Sequence, residues 1–278
     1  MIYKPFGRHE VNVSSVGMGT YYDPLWIVTS RIGLGRGWAE KLRALREGLQ
    51  GGMNLIDTAE IYGSEPLVRE AIKDYPRDQL FIATKVWSNH LRREALIRAL
   101  EGSLRRLGLS YVDLYQVHFP NPRVPISETM GAMEEMVEKG KIRFIGISNF
   151  SLKQTEEAVH SLKKYELASI QINYSLSHRE PERDLIPYCQ REGIAVLAYY
   201  PLAHGKLSLM GEKLKPLTEK YGKTPSQLAL NWLASKPNVF PIPRASRSEH
   251  VRENLGAVGW EMSDQDRKEL EKITGDGG

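Results

Sequence analysis

The chain has 278 residues and a mass of 31.6 kDa, and 41% of its residues are hydrophobic and 26% are charged. This composition excludes an intrinsically disordered protein. The one cysteine, Cys189, excludes an internal disulfide framework and any cysteine-rich zinc module. The net charge of +4 arises from interspersed basic and acidic residues, which is typical of a solvated surface and argues against a nucleic-acid-binding patch.

The N-terminus and the apolar runs of the chain predict a protein that stays in the cytoplasm. The first residues, MIYKPFGRHE, lack the apolar core of a secretory signal. The longest apolar run, residues 194–203, is too short to span a membrane and contains Pro201. We therefore expect a cytoplasmic monomer or weak oligomer that contacts neither membranes nor nucleic acid.

Eight short apolar runs alternate along the chain with eight segments of helical periodicity. The apolar runs cover residues 13–20, 54–60, 80–85, 112–118, 142–149, 168–173, 194–200 and 239–244, and the helical segments cover 38–50, 64–72, 92–107, 127–139, 151–163, 182–192, 225–235 and 248–255. This alternation predicts parallel strands joined by right-handed crossovers. Eight such units predict an α/β fold of the (β/α)8 TIM barrel type. An open doubly wound sheet is the alternative, but it normally has fewer strands and a glycine-rich first turn.

Three further features complete the predicted domain, which we take to span residues 1–278. Residues 2–13 form a β-hairpin around Gly7 and Arg8 that caps the bottom of the barrel, and residues 264–274 form an extra C-terminal helix. Residues 20–38 form a long loop after the first barrel strand. Its GLGRG segment at 33–37 follows no apolar strand, so it lacks the context of a dinucleotide-binding fingerprint and is expected to form turns.

The predicted strand ends carry a distinct set of polar side chains, and active sites of barrels lie at the carboxyl ends of the strands. The set comprises Asp57, Glu60, Tyr62, Lys85, His118, Ser148, Asn149, Gln171, Asn173, Tyr199, Tyr200 and Arg244. It contains no nucleophile–base–orienter triad and no carboxylate cluster for magnesium. The candidates for a zinc site, Asp57, Glu60 and His118, lack a ligand spacing. We therefore predict that the site holds no metal.

A tyrosine, a lysine, an aspartate and a histidine at adjacent strand ends suit proton transfer to or from a carbonyl or alcohol oxygen. The unperturbed pKa of tyrosine is about 10. A charged lysine at about 4 Å, with an effective dielectric constant of about 20, interacts with a phenolate by about 4 kcal/mol. That energy predicts a downward shift of up to about three units in the pKa of Tyr62. A buried lysine needs a carboxylate partner to stay charged, and Asp57 is available.

Seven segments together resemble the aldo-keto reductase family. They are NLIDTAEIYG (54–63), FIATKVW (81–87), LYQVHFP (114–120), IGISNF (145–150), IQINYSL (170–176), LAYYPLAHG (197–205) and IPRASRSEHVREN (242–254). The resemblance is to a short member, without the long C-terminal loop. It implies a catalytic tetrad of Asp57, Tyr62, Lys85 and His118, in which Tyr62 donates a proton to the carbonyl oxygen as hydride arrives. Lys85 and Asp57 would tune the acidity of Tyr62, and His118 would orient the carbonyl.

The same resemblance implies a nicotinamide cofactor bound without a separate dinucleotide-binding domain. Ser148, Asn149 and Gln171 would bind the carboxamide, and Tyr199 would stack on the nicotinamide ring. Further cofactor contacts are expected from Gly19, Thr20, Tyr21, Tyr200, Leu202, Arg244, Ser246, Arg247, His250, Glu253 and Asn254. Among these, Tyr200 and Leu202 match positions that touch the pyrophosphate, and Glu253 and Asn254 match the pair that contacts the adenine. Two departures from the family pattern are Ala203, which replaces a common glycine, and Tyr200, which replaces a smaller residue.

The segment after the eighth strand favours NADPH over NADH, because cationic side chains attract the 2′-phosphate. Arg244 stands where the family places a phosphate-contacting residue, and Ser246 and Arg247 add potential contacts. His250 replaces an arginine or glutamine and, being mostly neutral at pH 7, weakens this preference.

Aromatic side chains are expected to line the pocket of a small-molecule carbonyl substrate. They are Tyr21, Tyr22 and Trp26 from the long loop, and Trp87 and Phe119 after the third and fourth strands. Two alternatives to a carbonyl reductase stay open. One is a redox-sensing regulatory subunit that binds NADPH with little turnover. The other is a Schiff-base lyase or aldolase that uses Lys85, which requires an unpaired, desolvated lysine.

Overall fold

The computed structural model describes residues 1–31, 35–203 and 211–275, and these contain ten β-strands and eleven α-helices. The strands are β1 (Tyr3–Phe6), β2 (His9–Ser14), β3 (Met18–Gly19), β4 (Leu55–Asp57), β5 (Phe81–Val86), β6 (Val112–Val117), β7 (Ile142–Ser148), β8 (Leu167–Asn173), β9 (Ala195–Tyr199) and β10 (Val239–Pro241). The helices are α1 (Pro24–Arg31), α2 (Trp38–Gln50), α3 (Glu65–Ile72), α4 (Arg93–Leu107), α5 (Ile126–Glu138), α6 (Leu152–Ser161), α7 (Leu185–Arg191), α8 (Gly211–Tyr221), α9 (Pro225–Ala234), α10 (Ser248–Leu255) and α11 (Asp264–Gly275). Short 3-10 helices lie at Arg77–Gln79, Ser88–His90 and Glu180–Arg183.

Strands β3 to β10 form one parallel sheet that follows the chain order around a barrel. The first and last strands meet where Gly19 bridges Arg244 in parallel and the Gly19 N–H donates to the Pro243 carbonyl at 2.9 Å. A Cβ atom at position 19 would lie 2.8 Å from the Ile242 carbonyl oxygen, so this close approach requires glycine. The predicted (β/α)8 barrel is confirmed.

The N-terminal hairpin closes the bottom of the barrel, as predicted. Strands β1 and β2 pair in antiparallel fashion, and Gly7 takes a positive φ of 64° at the turn. The side chain of Phe6 is fully buried and lies 4.7 Å from the Phe81 ring and 5.3 Å from the Phe240 ring, measured between centroids. Because Phe81 begins β5, this aromatic plug occupies the amino ends of the strands and leaves the carboxyl ends for a site.

The helices confirm most of the predicted pattern. Helices α2 to α7, α9 and α10 match the eight predicted segments, and α11 matches the predicted C-terminal helix. The expected start at Ser151 is a capping box with Gln154, whereas the hydroxyl of Ser64 makes no capping bond and contacts Thr20 and Thr58 instead.

Helix α1 lies in the segment 20–38 that was expected to be a loop, and helix α8 lies in a segment for which no element was predicted. Helix α1 begins after Asp23, whose Oδ1 accepts from the Trp26 N–H at 2.7 Å. The Asp23–Pro24 pair is thus a helix start that the sequence analysis missed. Residues 33 and 34 of the GLGRG segment lie outside the described residues. None of the helices in the described ranges is long and apolar enough to cross a membrane.

Candidate active site

The four side chains of the predicted tetrad lie together at the carboxyl ends of neighbouring strands. Asp57 ends β4, Lys85 lies near the end of β5, and His118 directly follows β6. Tyr62 lies in the loop between β4 and α3. None of the four is more than 8% exposed, so water screens the charges of this site only weakly.

Lys85 is fully buried, and its ammonium group contacts three oxygen acceptors. Its Nζ donates to Asp57 Oδ2 at 2.6 Å, to the Thr58 carbonyl at 2.8 Å and to the Tyr62 hydroxyl at 3.4 Å. Burial lowers the pKa of Lys85, and the negative charge of Asp57 opposes that shift. A lysine with three engaged hydrogens and a paired charge is a poor amine nucleophile, which argues against the Schiff-base alternative.

The hydroxyl of Tyr62 lies between Lys85 and His118, at 3.2 Å from the Nε2 atom of the histidine. Burial, reinforced by the positive charge of Lys85, lowers the pKa of His118 to about 2. The imidazole is therefore neutral, with one N–H donor and one acceptor nitrogen. Its Nδ1 atom is buried and has no hydrogen-bond partner within the described ranges, so Nε2 is the ring nitrogen that faces the Tyr62 hydroxyl.

The sequence-based expectation for the acidity of Tyr62 is wrong. Burial, with a further contribution from the negative charge of Asp57, raises the pKa of the Tyr62 hydroxyl well above its usual value. Burial of the hydroxyl is the main reason, and the ammonium group of Lys85, which would act in the opposite direction, lies closer to Asp57 than to Tyr62. Tyr62 is consequently a protonated phenol, which is the form that a proton donor requires.

Two glutamines inside the barrel hold the other oxygen of Asp57. The Nε2 atom of Gln171 donates to Asp57 Oδ1 at 2.7 Å, and the Nε2 atom of Gln116 approaches the same oxygen at 3.4 Å. Gln171, which was expected at the carboxamide, thus directs its amide nitrogen to the tetrad. Gln116 was missed, although its spacing of two residues from His118 places both on one face of the strand.

A second polar group borders the tetrad on the β7 and β9 side. The Nδ2 atom of Asn149 donates to the His118 carbonyl and to Ser148 Oγ, both at 3.0 Å, and its Oδ1 accepts from the Tyr199 hydroxyl at 2.7 Å. The hydroxyl of Ser148 donates to the Gln171 carbonyl at 3.0 Å. Asn149 has a positive φ of 62°, which is uncommon for a residue other than glycine. A half-exposed tyrosine ring beside amide and hydroxyl groups fits a flat ring that carries a carboxamide.

Comparison with known proteins decides the family. A sequence model of the aldo/keto reductase family matches residues 37–274. The chain belongs to the aldo-keto reductase family. It is 33% identical to the methylglyoxal reductase YeaE of Escherichia coli (strain K12), over 95% of this chain and 92% of that protein.

Solved structures agree with this membership. The thermostable aldo-keto reductase Tm1743, in complex with the inhibitor epalrestat, superposes with a TM-score of 0.88 and 38% identity, over 98% of this chain and 100% of that one. An aldo/keto reductase from Klebsiella pneumoniae, in complex with NADP and acetate, has a TM-score of 0.86 and 33% identity, over 96% of this chain and 93% of that one.

In this aldo-keto reductase, the residues expected at the cofactor phosphates lie around the end of β10. Arg244 is exposed, and its Nη1 donates to the Tyr22 carbonyl at 2.8 Å, which fixes the guanidinium at the strand end. Arg247 is exposed and pairs with Glu40 at 3.7 Å. His250 is also exposed, and Ser246 is half-buried.

The other expected cofactor residues differ in accessibility. Tyr200 is 41% exposed with a positive φ of 51°, and Leu202 is half-buried against the core. Glu253 is half-buried and accepts a hydrogen bond from the Thr224 hydroxyl, whereas Asn254 is buried.

Thr20 and Gly19 require a correction. The hydroxyl of Thr20 is fully buried and donates to the Asp57 carbonyl at 2.9 Å, and Gly19 is buried where the barrel closes. These residues support the strand ends, and their burial leaves little surface for a cofactor.

Three of the five expected substrate residues lie near the tetrad. The Trp87 ring meets the His118 ring edge-on at 5.2 Å, and the Phe119 ring stacks on His118 at 5.2 Å. Tyr21 meets the Tyr62 ring at 5.2 Å. Phe119 is 40% exposed, so this aromatic wall has a face open to a ligand.

Tyr22 and Trp26 do not line a pocket, and their expected substrate role is corrected. They are 2% and 1% exposed, and the Trp26 ring packs 5.1 Å from Tyr22 and 6.0 Å from Trp38. Both belong to the apolar core between α1, α2 and the barrel. The physical reason is the unpredicted helix α1, which turns Trp26 inward.

Proposed function

We propose that this protein is an NADPH-dependent carbonyl reductase that converts aldehydes and ketones to alcohols. The main support is the position of the Tyr62 hydroxyl, which is protonated and lies between the ammonium group of Lys85 and the neutral ring of His118. The reductase activity in the name of the Escherichia coli relative and the NADP in the Klebsiella pneumoniae complex support the same conclusion.

In this mechanism Tyr62 is the proton donor. When bound, the reduced cofactor supplies a hydride to the carbonyl carbon. The Tyr62 O–H transfers its proton to the carbonyl oxygen, and the resulting phenolate lies beside the Lys85 ammonium group, 3.4 Å from the phenol oxygen. Asp57 keeps that lysine charged inside the barrel, and Gln171 fixes the free oxygen of Asp57. Stabilisation is strongest in the transition state, where negative charge develops on the phenol oxygen.

His118 has a separate role. Because its imidazole is neutral, it acts as a hydrogen-bonding group and not as an acid. Its Nε2 lies 3.2 Å from the Tyr62 hydroxyl. An N–H on Nε2 and the Tyr62 O–H can therefore both donate to the same carbonyl oxygen of the substrate. We infer that His118 orients the carbonyl oxygen toward the phenol proton.

The cofactor is proposed to lie across the carboxyl ends of β7 to β10. Ser148 and Asn149 would bind the carboxamide, and the Tyr199 ring would stack on the nicotinamide. Arg244, exposed and fixed by the Tyr22 carbonyl, would bind the 2′-phosphate that distinguishes NADPH from NADH. Aldehydes with a flat substituent fit the open wall of Trp87 and Phe119.

The oxidation of NADPH at 340 nm with a panel of aldehydes and ketones tests this function, with NADH as the cofactor control. We expect turnover with NADPH that saturates with the carbonyl compound, including methylglyoxal. Tight binding of NADPH without turnover of any carbonyl compound would instead support the regulatory-subunit alternative. Binding of neither cofactor would contradict both.

A further inference from the structure

Glu60 lies between two tetrad residues in the chain, yet the proton-transfer mechanism does not use it. It follows β4 in the loop that also carries Tyr62, and its side chain is 8% exposed. A carboxylate this buried is costly unless it is paired or hydrogen-bonded. Its contacts therefore indicate what it does.

The hydrogen bonds of Glu60 lead to the end of β5 and to the loop that follows it. Its Oε1 accepts from the Trp87 N–H at 2.5 Å and lies 3.0 Å from His90 Nδ1, while its own N–H donates to the Lys85 carbonyl at 3.2 Å. Trp87 follows Val86, the last residue of β5 that pairs with β6, so its N–H lies beyond the strand ladder. Glu60 supplies the acceptor that this N–H needs, and bonds to an ionised acceptor are the stronger kind.

The residue held by this bond is part of the aromatic wall over His118. The Trp87 ring meets His118 at 85° and Phe119 at 76°, with centroids 5.2 Å and 5.7 Å away. Ser88, which follows Trp87 in the chain, is also fixed, because its carbonyl accepts from Asn121 Nδ2 at 2.8 Å. The loop is thus tied at two adjacent residues to the loops on either side of it.

We propose that Glu60 is a positioning residue for substrate selection. By holding the backbone of Trp87, it sets where the indole ring stands relative to His118 and Tyr62. The position of the indole ring determines how well a flat carbonyl compound packs against the aromatic wall. A small carbonyl compound does not reach the wall, so its binding does not depend on that position. The inference rests on the proposed carbonyl reductase function.

The test compares three variants at position 60 with a matched control. Glu60→Ala removes the acceptor, Glu60→Asp withdraws it by one methylene, and Glu60→Gln keeps a neutral acceptor for the Trp87 N–H. The control is Glu134→Ala, because the buried carboxylate of Glu134 also holds backbone N–H groups, those of Lys163 and Lys164 at 2.9 Å and 2.7 Å. Each variant is assayed with methylglyoxal and with 4-nitrobenzaldehyde, and kcat and KM are determined separately.

We expect Glu60→Ala and Glu60→Asp to raise KM for the aromatic aldehyde by about three- to tenfold, the range that a lost aromatic contact gives. The KM for methylglyoxal should change less than about twofold, because a small substrate lacks that contact. Glu60→Gln should restore most of the wild-type KM, and Glu134→Ala should shift neither. Equal changes for both substrates, or the same change in Glu134→Ala, would overturn the proposal.

A spectroscopic measurement keeps the proposal testable if no carbonyl compound is turned over. The chain has five tryptophans, and in 5-fluorotryptophan-labelled protein the Trp87 resonance is the one missing from Trp87→Phe. We expect this resonance to shift or broaden in Glu60→Ala and to stay in place in Glu60→Gln and Glu134→Ala. An unmoved Trp87 signal in folded Glu60→Ala would contradict the positioning role independently of activity.

Discussion

The Nζ atom of Lys85 and the Oδ2 atom of Asp57 lie 2.6 Å apart in an ion pair whose side chains are 0% and 4% exposed. A buried ion pair of this kind loses the hydration of both charges, and it is weak evidence for a role in stability. Its value lies in placing a positive charge beside the Tyr62 hydroxyl inside a closed barrel. The pair therefore links the fold of two adjacent strand ends to the chemistry of the site.

Breaking this pair should destabilise the protein more than removing it completely. Lys85→Met or Asp57→Leu leaves one charge buried without its partner, which should lower the free energy of unfolding by about 3–5 kcal/mol. The double variant should lose less than either single variant, and it should stay inactive. Urea unfolding measures the free energy of unfolding of the single and double variants. The exposed pair of Arg98 and Glu94 is the control, for which the coupling should stay below about 0.5 kcal/mol; additive losses at the buried pair would contradict the account.

The neutral state of His118 should appear as acid sensitivity of the folded protein. Its pKa is about 2 in the folded state, far below the unperturbed value of about 6.5. The stabilising effect of the neutral ring is complete above pH 6.5 and declines as the pH falls below it, because the unfolded chain then takes up a proton that the folded chain does not. Between pH 6 and pH 4 the wild type should lose about 1.4 kcal/mol per pH unit relative to His118→Gln. Parallel stability curves for the two proteins would show that His118 takes up a proton as readily in the folded state as in the unfolded chain, which contradicts this account of the site.

Arg244 should set the preference for the phosphorylated cofactor. Removing a charge-assisted contact to the 2′-phosphate in Arg244→Ala should weaken NADPH binding by about tenfold and leave NADH binding nearly unchanged. Fluorescence titration gives both dissociation constants. Arg98→Gln, which alters an exposed arginine on α4, should change neither constant. Equal weakening for both cofactors would place Arg244 away from the 2′-phosphate.

Trp26 and Trp87 were both expected to line the substrate pocket, and their substitutions should show that Trp26 belongs to the core and Trp87 to the site. Trp26 is 1% exposed, so Trp26→Ala should lower the free energy of unfolding by about 3–5 kcal/mol through the cavity it leaves. Trp87→Ala, at the partly open wall, should cost less stability and should raise KM for aromatic aldehydes. Thermal unfolding and steady-state kinetics on both variants make the comparison. A selectivity change in Trp26→Ala without loss of stability would return Trp26 to the substrate site.

The barrel and the polar residues at its strand ends are predictable from the sequence because they depend on short-range patterns, whereas the grouping of four of these residues as a tetrad comes from the resemblance to the aldo-keto reductase family. The alternation of apolar runs and helical segments identifies the strands, and each strand end then identifies a residue such as Lys85 or His118 without knowledge of packing. The closure between Gly19 and Arg244 follows from the fold once eight units are counted.

The remaining features depend on distances that a linear pattern does not contain. Trp26 looks like a loop aromatic until Asp23 starts a helix that turns it inward. The direction of the Tyr62 pKa shift depends on burial and on Lys85 lying nearer to Asp57 than to the phenol. The roles of Gln116 and Glu60 appear only when neighbouring strands bring their partners within hydrogen-bond distance.

The role of Tyr62 as the proton donor is tested by single-turnover oxidation of bound NADPH by methylglyoxal in the wild type, Tyr62→Phe and Tyr115→Phe. Tyr115 is a matched control, because its hydroxyl is also buried but has no hydrogen-bond partner in the described part of the chain. We expect Tyr62→Phe to lose at least about 100-fold in rate, the scale of a lost general acid, while its affinity for NADPH is retained and Tyr115→Phe keeps its rate. A Tyr62→Phe enzyme that turns over at the wild-type rate would contradict Tyr62 as the proton donor.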